Sequence, residues 1–201
     1  MSTLSVIIGS TRPGRAGLPI GQWFAERARA HGAFDVDVAD LAQIQLPLLD
    51  EPNHPRLRQY VHEHTKDWST RIEGADAVVL VTPEYNYGYP AALKNALDYL
   101  YAEWRDKPVG FVSYGGIAGG TRAVQQLKQV VTTLRMVPVV EAVTIPFHTR
   151  VIEADGHVRG TDSMDRAAAA MLDELARLEG ALRPLRETGS PASPERAGSN
   201  N

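Results

Sequence analysis

The 201-residue chain has no cysteine, which excludes disulfides, thiolate zinc sites and catalysis through a sulfur nucleophile. No apolar run approaches the roughly 18 residues that a membrane-crossing helix needs. Neither sign of charge dominates: 21 Lys and Arg stand against 24 Asp and Glu, for a formal net charge of −3. A nucleic-acid binder needs a basic face, and no Lys/Arg-rich run supplies one. Met1-Ser2-Thr3-Leu4 leads directly into a strand-like run, so no secretory signal is expected. These absences point to a soluble cytoplasmic protein with neither membrane nor nucleic acid as partner. Without a thiol, any redox activity must reside in a bound cofactor.

What is present is an alternation of short apolar runs with longer helical segments, the pattern of an α/β protein with a parallel sheet. Strands are expected at 4–8, 34–38, 75–81, 109–113 and 137–143, and helices at about 19–31, 56–73, 91–104, 121–136 and 164–182. The run Phe34 to Val38 alternates strictly, as an edge strand does, whereas Ala75 to Val81 is continuously apolar, as a strand covered on both faces is. Five strands predict an open, doubly wound sheet with helices on both faces in the order 2-1-3-4-5. One domain is expected over 1–186. The segment 187–201, rich in Ser, Gly, Pro and Asn, is expected to be a disordered tail.

Ligands of such sheets bind beyond the carboxyl ends of the strands, at the point where the strand order reverses. Three loops lie there. Gly9 to Gly17 offers backbone N–H groups, the hydroxyls of Ser10 and Thr11, the guanidinium groups of Arg12 and Arg15, and a helix N-terminus, a combination suited to a phosphate dianion. Pro83-Glu84-Tyr85-Asn86-Tyr87-Gly88-Tyr89 offers flat aromatic and amide surface suited to a planar heterocycle, although tyrosines also anchor loops and subunits. Ser113-Tyr114-Gly115-Gly116 and the glycines after it remove side chains where a bulky ligand approaches the backbone. Asp40 reads either as the ribose-binding acid of a dinucleotide fold or as a turn or cap residue. Glu84 reads as a base, a loop element or a subunit contact. His62 and His64, two apart on an expected helix, should point to different faces, and no metal site is expected. Tyr99, Tyr101 and Trp104 read as core or dimer interface.

Three stretches carry a resemblance: Gly9-Ser10-Thr11-Arg12, Pro83 to Asp98, and Ser113-Tyr114-Gly115-Gly116. Over residues 4–145 the chain resembles the NADPH-dependent FMN reductases and quinone reductases of flavodoxin-like fold. The resemblance implies a homodimer, or a tetramer, with one FMN per subunit. The phosphate would rest on Ser10, Arg12 and Arg15. The ring would lie against Pro83, Glu84, Tyr85, Asn86 and Tyr87 and against Ser113, Tyr114, Gly115 and Gly116. NADPH or NADH would pass hydride to the flavin, and a quinone, free flavin or similar small molecule would take the electrons, with no side chain acting as a catalytic acid, base or nucleophile. The alternative is an FMN-binding electron carrier or redox sensor with little turnover. Many relatives place serine and asparagine one turn after the arginine, where this chain has Arg15-Ala16-Gly17.

Overall fold

Five parallel strands form the centre of the molecule, in the order β2-β1-β3-β4-β5. They are β1 (Ser2–Ile8), β2 (Phe34–Asp40), β3 (Ala77–Pro83), β4 (Pro108–Tyr114) and β5 (Val137–Ile145). The computed structural model describes residues 1–188. Every residue of β3 and of β4 is buried, which explains why their sequences are apolar without alternation. The two edges keep the alternation: β2 reads Phe-Asp-Val-Asp-Val-Ala-Asp, and β5 carries Pro138 where an edge strand tolerates a missing N–H.

Helices α1 (Gly17–His31) and α6 (Asp162–Thr188) cover one face. Their Ile20, Phe24, Ala28, Ala168, Met171 and Leu175 pack with Leu4, Val79, Val81 and Val112 of the sheet. Helices α3 (Glu63–Glu73), α4 (Ala91–Asp98) and α5 (Thr121–Thr133) cover the other, where Trp68 and Trp104 are fully buried edge to face. Each indole N–H finds a carbonyl, of Ala96 and Leu97 respectively, so neither ring leaves a buried donor unpaired. Gly32 ends α1 at φ 77, the left-handed conformation that a glycine C′ position supplies.

Three expected boundaries are corrected. The helix expected over 56–73 starts only at Glu63: Pro55–Leu57 is a single 3-10 turn, Arg58 stands at φ 52, and the carboxylate of Glu51 accepts from the N–H groups of Val61 and His62. The helix expected over 91–104 stops at Asp98 and resumes as a 3-10 turn, Ala102–Trp104. Between them Tyr99 is buried and sends its hydroxyl to the carbonyl of Pro47 and to Asp50, tying α4 to the preceding proline-rich connection. Glu187 and Thr188, expected to open the tail, close α6 instead; the rest of the expected tail lies outside the described residues. A fourth helix on this face, α2 (Leu41–Ile44), is one turn long.

At the carboxyl ends of the strands, the first amide after each inner strand bonds to the next strand in space. Gly9 donates to Val81, Glu84 to Tyr114 and Gly115 to Ile145, at 2.9, 3.1 and 3.2 Å. The three loops therefore leave the sheet from a common, cross-tied rim.

Candidate functional site

The first loop wraps over β1 into α1. Residues Thr11, Arg12, Pro13 and Gly14 are exposed, and Gly14 turns the chain at φ 68. Among the described residues no side chain caps α1 and its first turn holds no acid. The N–H groups of Gly17 and Leu18, which a helix cannot pair internally, therefore face the loop with the positive end of the helix dipole behind them.

Ser10 is fully buried beneath this N-terminus, and its Oγ accepts from the Tyr114 hydroxyl at 3.2 Å. Burial pushes the Tyr114 phenol up to about 12, so it is a neutral donor at any working pH. With Tyr114 supplying that bond, Ser10 keeps its own proton to donate elsewhere. Gly17 is required at its position, because a Cβ there would lie 2.1 Å from Ser10 Oγ and 2.5 Å from the Tyr114 hydroxyl.

Arg15 does not stand open to the loop. Its guanidinium grips Asp40 in a two-pronged pair at 2.7 and 2.6 Å and also donates to the Ser10 carbonyl. Asp40 in turn caps α2 by accepting from the Ala42 N–H at 3.1 Å. The expectation of Arg15 as a phosphate ligand is thus met by a competing internal partner, and the ribose reading of Asp40 by a cap and an ion pair. Arg12 is exposed and has no ion-pair partner among the described residues. A cavity of about 400 Å³ opens beside Thr11, lined by Leu41, Gln45, Leu46 and Ala92.

The second loop is a tight hairpin. Tyr85 and Gly88 exchange both backbone bonds at 2.9 Å around Asn86 (φ 50) and Tyr87 (φ 71), the pair of left-handed residues that a type I′ turn demands. A tyrosine at such a φ is strained, and the neighbours hold it: Arg122 stacks on the Tyr87 ring at 3.8 Å, and Gln126 donates to the Tyr87 carbonyl. Tyr85 and Tyr87 stay exposed, at 40% and 62%. Glu84 points away from solvent, where its carboxylate accepts from the Arg122 backbone N–H at 3.1 Å and pairs with the Arg122 guanidinium. It caps α5 from outside, which is the geometry of the loop-element reading of Glu84.

The third loop divides its glycines by job. Gly119 (φ 58) and Gly120 (φ 89) serve the fold: Cβ atoms there would fall 2.5 Å from Thr144 Cγ2 and 2.8 Å from Ser113 Cβ. A Cβ at Gly116 would meet nothing within 4 Å, so its backbone borders open space. The Ser113 hydroxyl is buried with no hydrogen-bond partner among the described residues.

All twelve expected residues therefore lie at one end of the sheet, around a mouth with a cationic corner, exposed aromatic surface and bare glycine backbone. These features fit a flavin mononucleotide. A second cavity, about 670 Å³, lies at the opposite end of the sheet. Its Arg58, Arg183 and Arg186 are paired with Glu73, Glu179 and Asp76, so it is a charge-matched seam.

Two features escaped the sequence reading. His62 caps α3 in extended conformation instead of lying inside it, so its ring stacks on that of His64, 5.1 Å away and 9° from parallel, with the His64 Nε2 3.0 Å from Asp50. Among the described residues no three His, Asp or Glu side chains are arranged to hold a metal ion. His148, beyond β5, joins the third loop through the Gly115 carbonyl at 3.0 Å. The signal available for it was a histidine within three residues of the carboxyl end of a strand.

Comparison with known proteins bears on the same stretch of chain. Residues 2–150 match the family described as NADPH-dependent FMN reductase. An NAD(P)H-dependent FMN reductase of Schizosaccharomyces pombe is 47% identical over 145 residues, 70% of this chain and 72% of that protein. One from a Nectria species is 38% identical over 135 residues, 64% and 67% of the two chains. Among solved structures, the flavoenzyme NAD(P)H:(acceptor) oxidoreductase FerB of Paracoccus denitrificans superposes with a TM-score of 0.71 at 24% identity, over 90% of this chain and 98% of that one. No helix among the described residues is long and apolar enough to cross a membrane. The chain belongs to the NADPH-dependent FMN reductase family, with FMN as its cofactor and NAD(P)H as its electron donor.

Proposed function

We propose that the protein oxidises NAD(P)H in the cytoplasm, where that donor is held, and passes the electrons to a diffusible small acceptor, a quinone or free flavin. The observation that supports this reading best is the convergence of three loops on one mouth, where the uncapped α1 terminus, exposed Arg12, Tyr85 and Tyr87 and the bare Gly116 backbone suit a flavin mononucleotide. An enzyme of this kind needs its residues to bind and shape, because bound FMN supplies the redox step, accepting hydride from the donor and releasing electrons to the acceptor.

The residues divide that work. The N-terminus of α1, Arg12 and the spare proton of Ser10 hold the phosphate, with Arg15 acting one step back by bracing the Ser10 carbonyl against Asp40. Pro83, Glu84, Tyr85, Asn86 and Tyr87 shape one wall for the ring, Glu84 through its hold on Arg122 and α5. Ser113, Tyr114, Gly115 and Gly116 shape the floor. The exposed Tyr85, Tyr87 and Ile117 around the mouth, with Leu48 and Leu49 on the proline-rich connection, provide apolar surface for a second copy of the chain in a homodimer.

The test is anaerobic mixing of the yellow protein with NADPH and, separately, NADH, followed by quinone, free FMN or an azo dye. Rapid bleaching and reoxidation by a quinone support the reading. A flavin that does not bleach marks a carrier, and bleaching reversed by no small acceptor removes the acceptor class proposed. Sedimentation of the holoprotein decides the dimer.

A further inference from the structure

Beyond β5 the chain turns at Phe147 (φ 48) into a 3-10 turn, His148–Arg150, which lies against the third loop. Four hydrogen bonds converge on two consecutive loop carbonyls. The Gly115 oxygen accepts from the His148 N–H at 3.3 Å and from the His148 ring Nδ1 at 3.0 Å. The Gly116 oxygen accepts from the N–H groups of Phe147 and Gly119 at 3.0 and 3.1 Å. A carbonyl can only accept, so the ring proton of His148 must sit on Nδ1, and the edge-on contact with Tyr114, 5.3 Å between centroids, keeps the imidazole in that orientation.

A trans peptide is planar, and its N–H points opposite to its C=O. Clamping the Gly115 oxygen toward the β5 side therefore aims the Gly116 N–H the other way. That N–H has no partner among the described residues, and it borders the open space where a Gly116 Cβ would meet nothing. Glycine backbone is free to rotate such a peptide, so the aim depends on what grips the carbonyl.

We propose that His148 is a positioning residue of the flavin site: by clamping the Gly115 carbonyl it fixes the Gly116 N–H as a donor to the N1/C2-carbonyl edge of FMN. The inference rests on the reading above that the third loop floors the ring. Reduction places negative charge at that edge, so a pre-aimed N–H both binds the cofactor and favours its reduced form.

Three variants test this, with FMN affinity read by fluorescence titration and the midpoint potential of the bound flavin by equilibration with a reference dye. Asparagine places an N–H where the His Nδ1–H stood, whereas glutamine places it about one bond too far and alanine removes it. His148→Ala and His148→Gln should weaken FMN binding about fivefold and make the potential more negative, while His148→Asn stays near wild type. Nitrogen NMR of the FMN-free chain should find His148 in the Nδ1–H form. Wild-type affinity in His148→Ala, equal loss in His148→Asn and His148→Ala, or an Nε2–H ring each overturns the proposal. Gly116→Ala separates the underlying reading. A Cβ there crowds FMN without touching protein, so weakened binding at unchanged melting temperature supports the loop as floor. Unchanged binding sinks that reading, whatever the histidine does.

Discussion

Helices α1 and α5 begin alike and are finished differently. Each follows a glycine-bearing loop at the carboxyl end of an inner strand, and neither has a capping side chain of its own or an acid in its first turn. The N-terminus of α5 receives the carboxylate of Glu84, whose side chain is only 7% exposed. The N-terminus of α1 receives no side chain from among the described residues, and the nearby carboxylate of Asp40 is taken by Arg15. Equal helix dipoles thus end differently: where the fold supplies the anion the terminus is scaffold, and where it supplies cations instead the terminus is open to the phosphate proposed there.

Breaking that contrast at α1 should have the largest effect. Ala16→Asp gives α1 an anion of its own where the phosphate belongs, and mutual repulsion should lower FMN affinity by about two decades. The FMN-free chain should melt no lower than wild type, since the new carboxylate satisfies the dipole. FMN affinity unchanged by this substitution would place the phosphate elsewhere. Arg12→Ala removes a charge-assisted contact and should cost about 1.5–3 kcal/mol of FMN binding, roughly one to two decades; a titration matching wild type would take Arg12 out of the site.

At α5 the same surgery should register as stability. Glu84→Gln weakens the cap and the pair with the partly exposed Arg122, and urea unfolding of the FMN-free chain should lose about 1 kcal/mol. A larger loss of FMN affinity than of stability would show that Glu84 faces the ligand after all.

The contrast extends to the opposite pole of a helix. The Lys107 ammonium is buried at the C-terminus of α3, where it donates to the carbonyls of Ile72 and Glu73. Burial, and then the neighbouring Arg186, push its pKa down to about 8. An unfolded lysine titrates near 10.4, so between about pH 8 and 10 the unfolded chain holds the extra proton and stability should rise with pH. Denaturant midpoints at pH 7.5, 8.5 and 9.5 should climb in wild type and lie flat in Lys107→Met. A wild type that is flat as well would mean that the two carbonyls keep the ammonium charged.

The contrast between α1 and α5 was half visible in the sequence. Strand positions, their order and the three loops follow from apolar runs and from Phe34 to Val38 alternating, because a sheet buried on both faces leaves that print residue by residue. The placing of Ser10, Arg12 and the glycine loop beyond the carboxyl ends of the strands was legible with them, since it follows from where the strands end. What depended on distant partners was not. Nothing near Arg15 announces Asp40 twenty-five residues on, and nothing near Glu84 announces the backbone of Arg122. The helix expected through Arg58 failed because Glu51 caps the chain at His62 instead, and the same cap turned two histidines expected on different faces into a stacked pair. His148 is tied to the site only by tertiary hydrogen bonds.

The cross-tied rim carries a consequence for how the cofactor comes and goes. Because Gly9, Glu84 and Gly115 each hand their first amide to the adjacent strand, loosening one loop strains its neighbour, and little chain entropy is left to lose when the mouth fills. A vessel of this kind is finished before its contents arrive. With FMN placed as proposed, its exchange should need no opening of the protein, and its residence time should record the contacts at the α1 terminus and at Gly116.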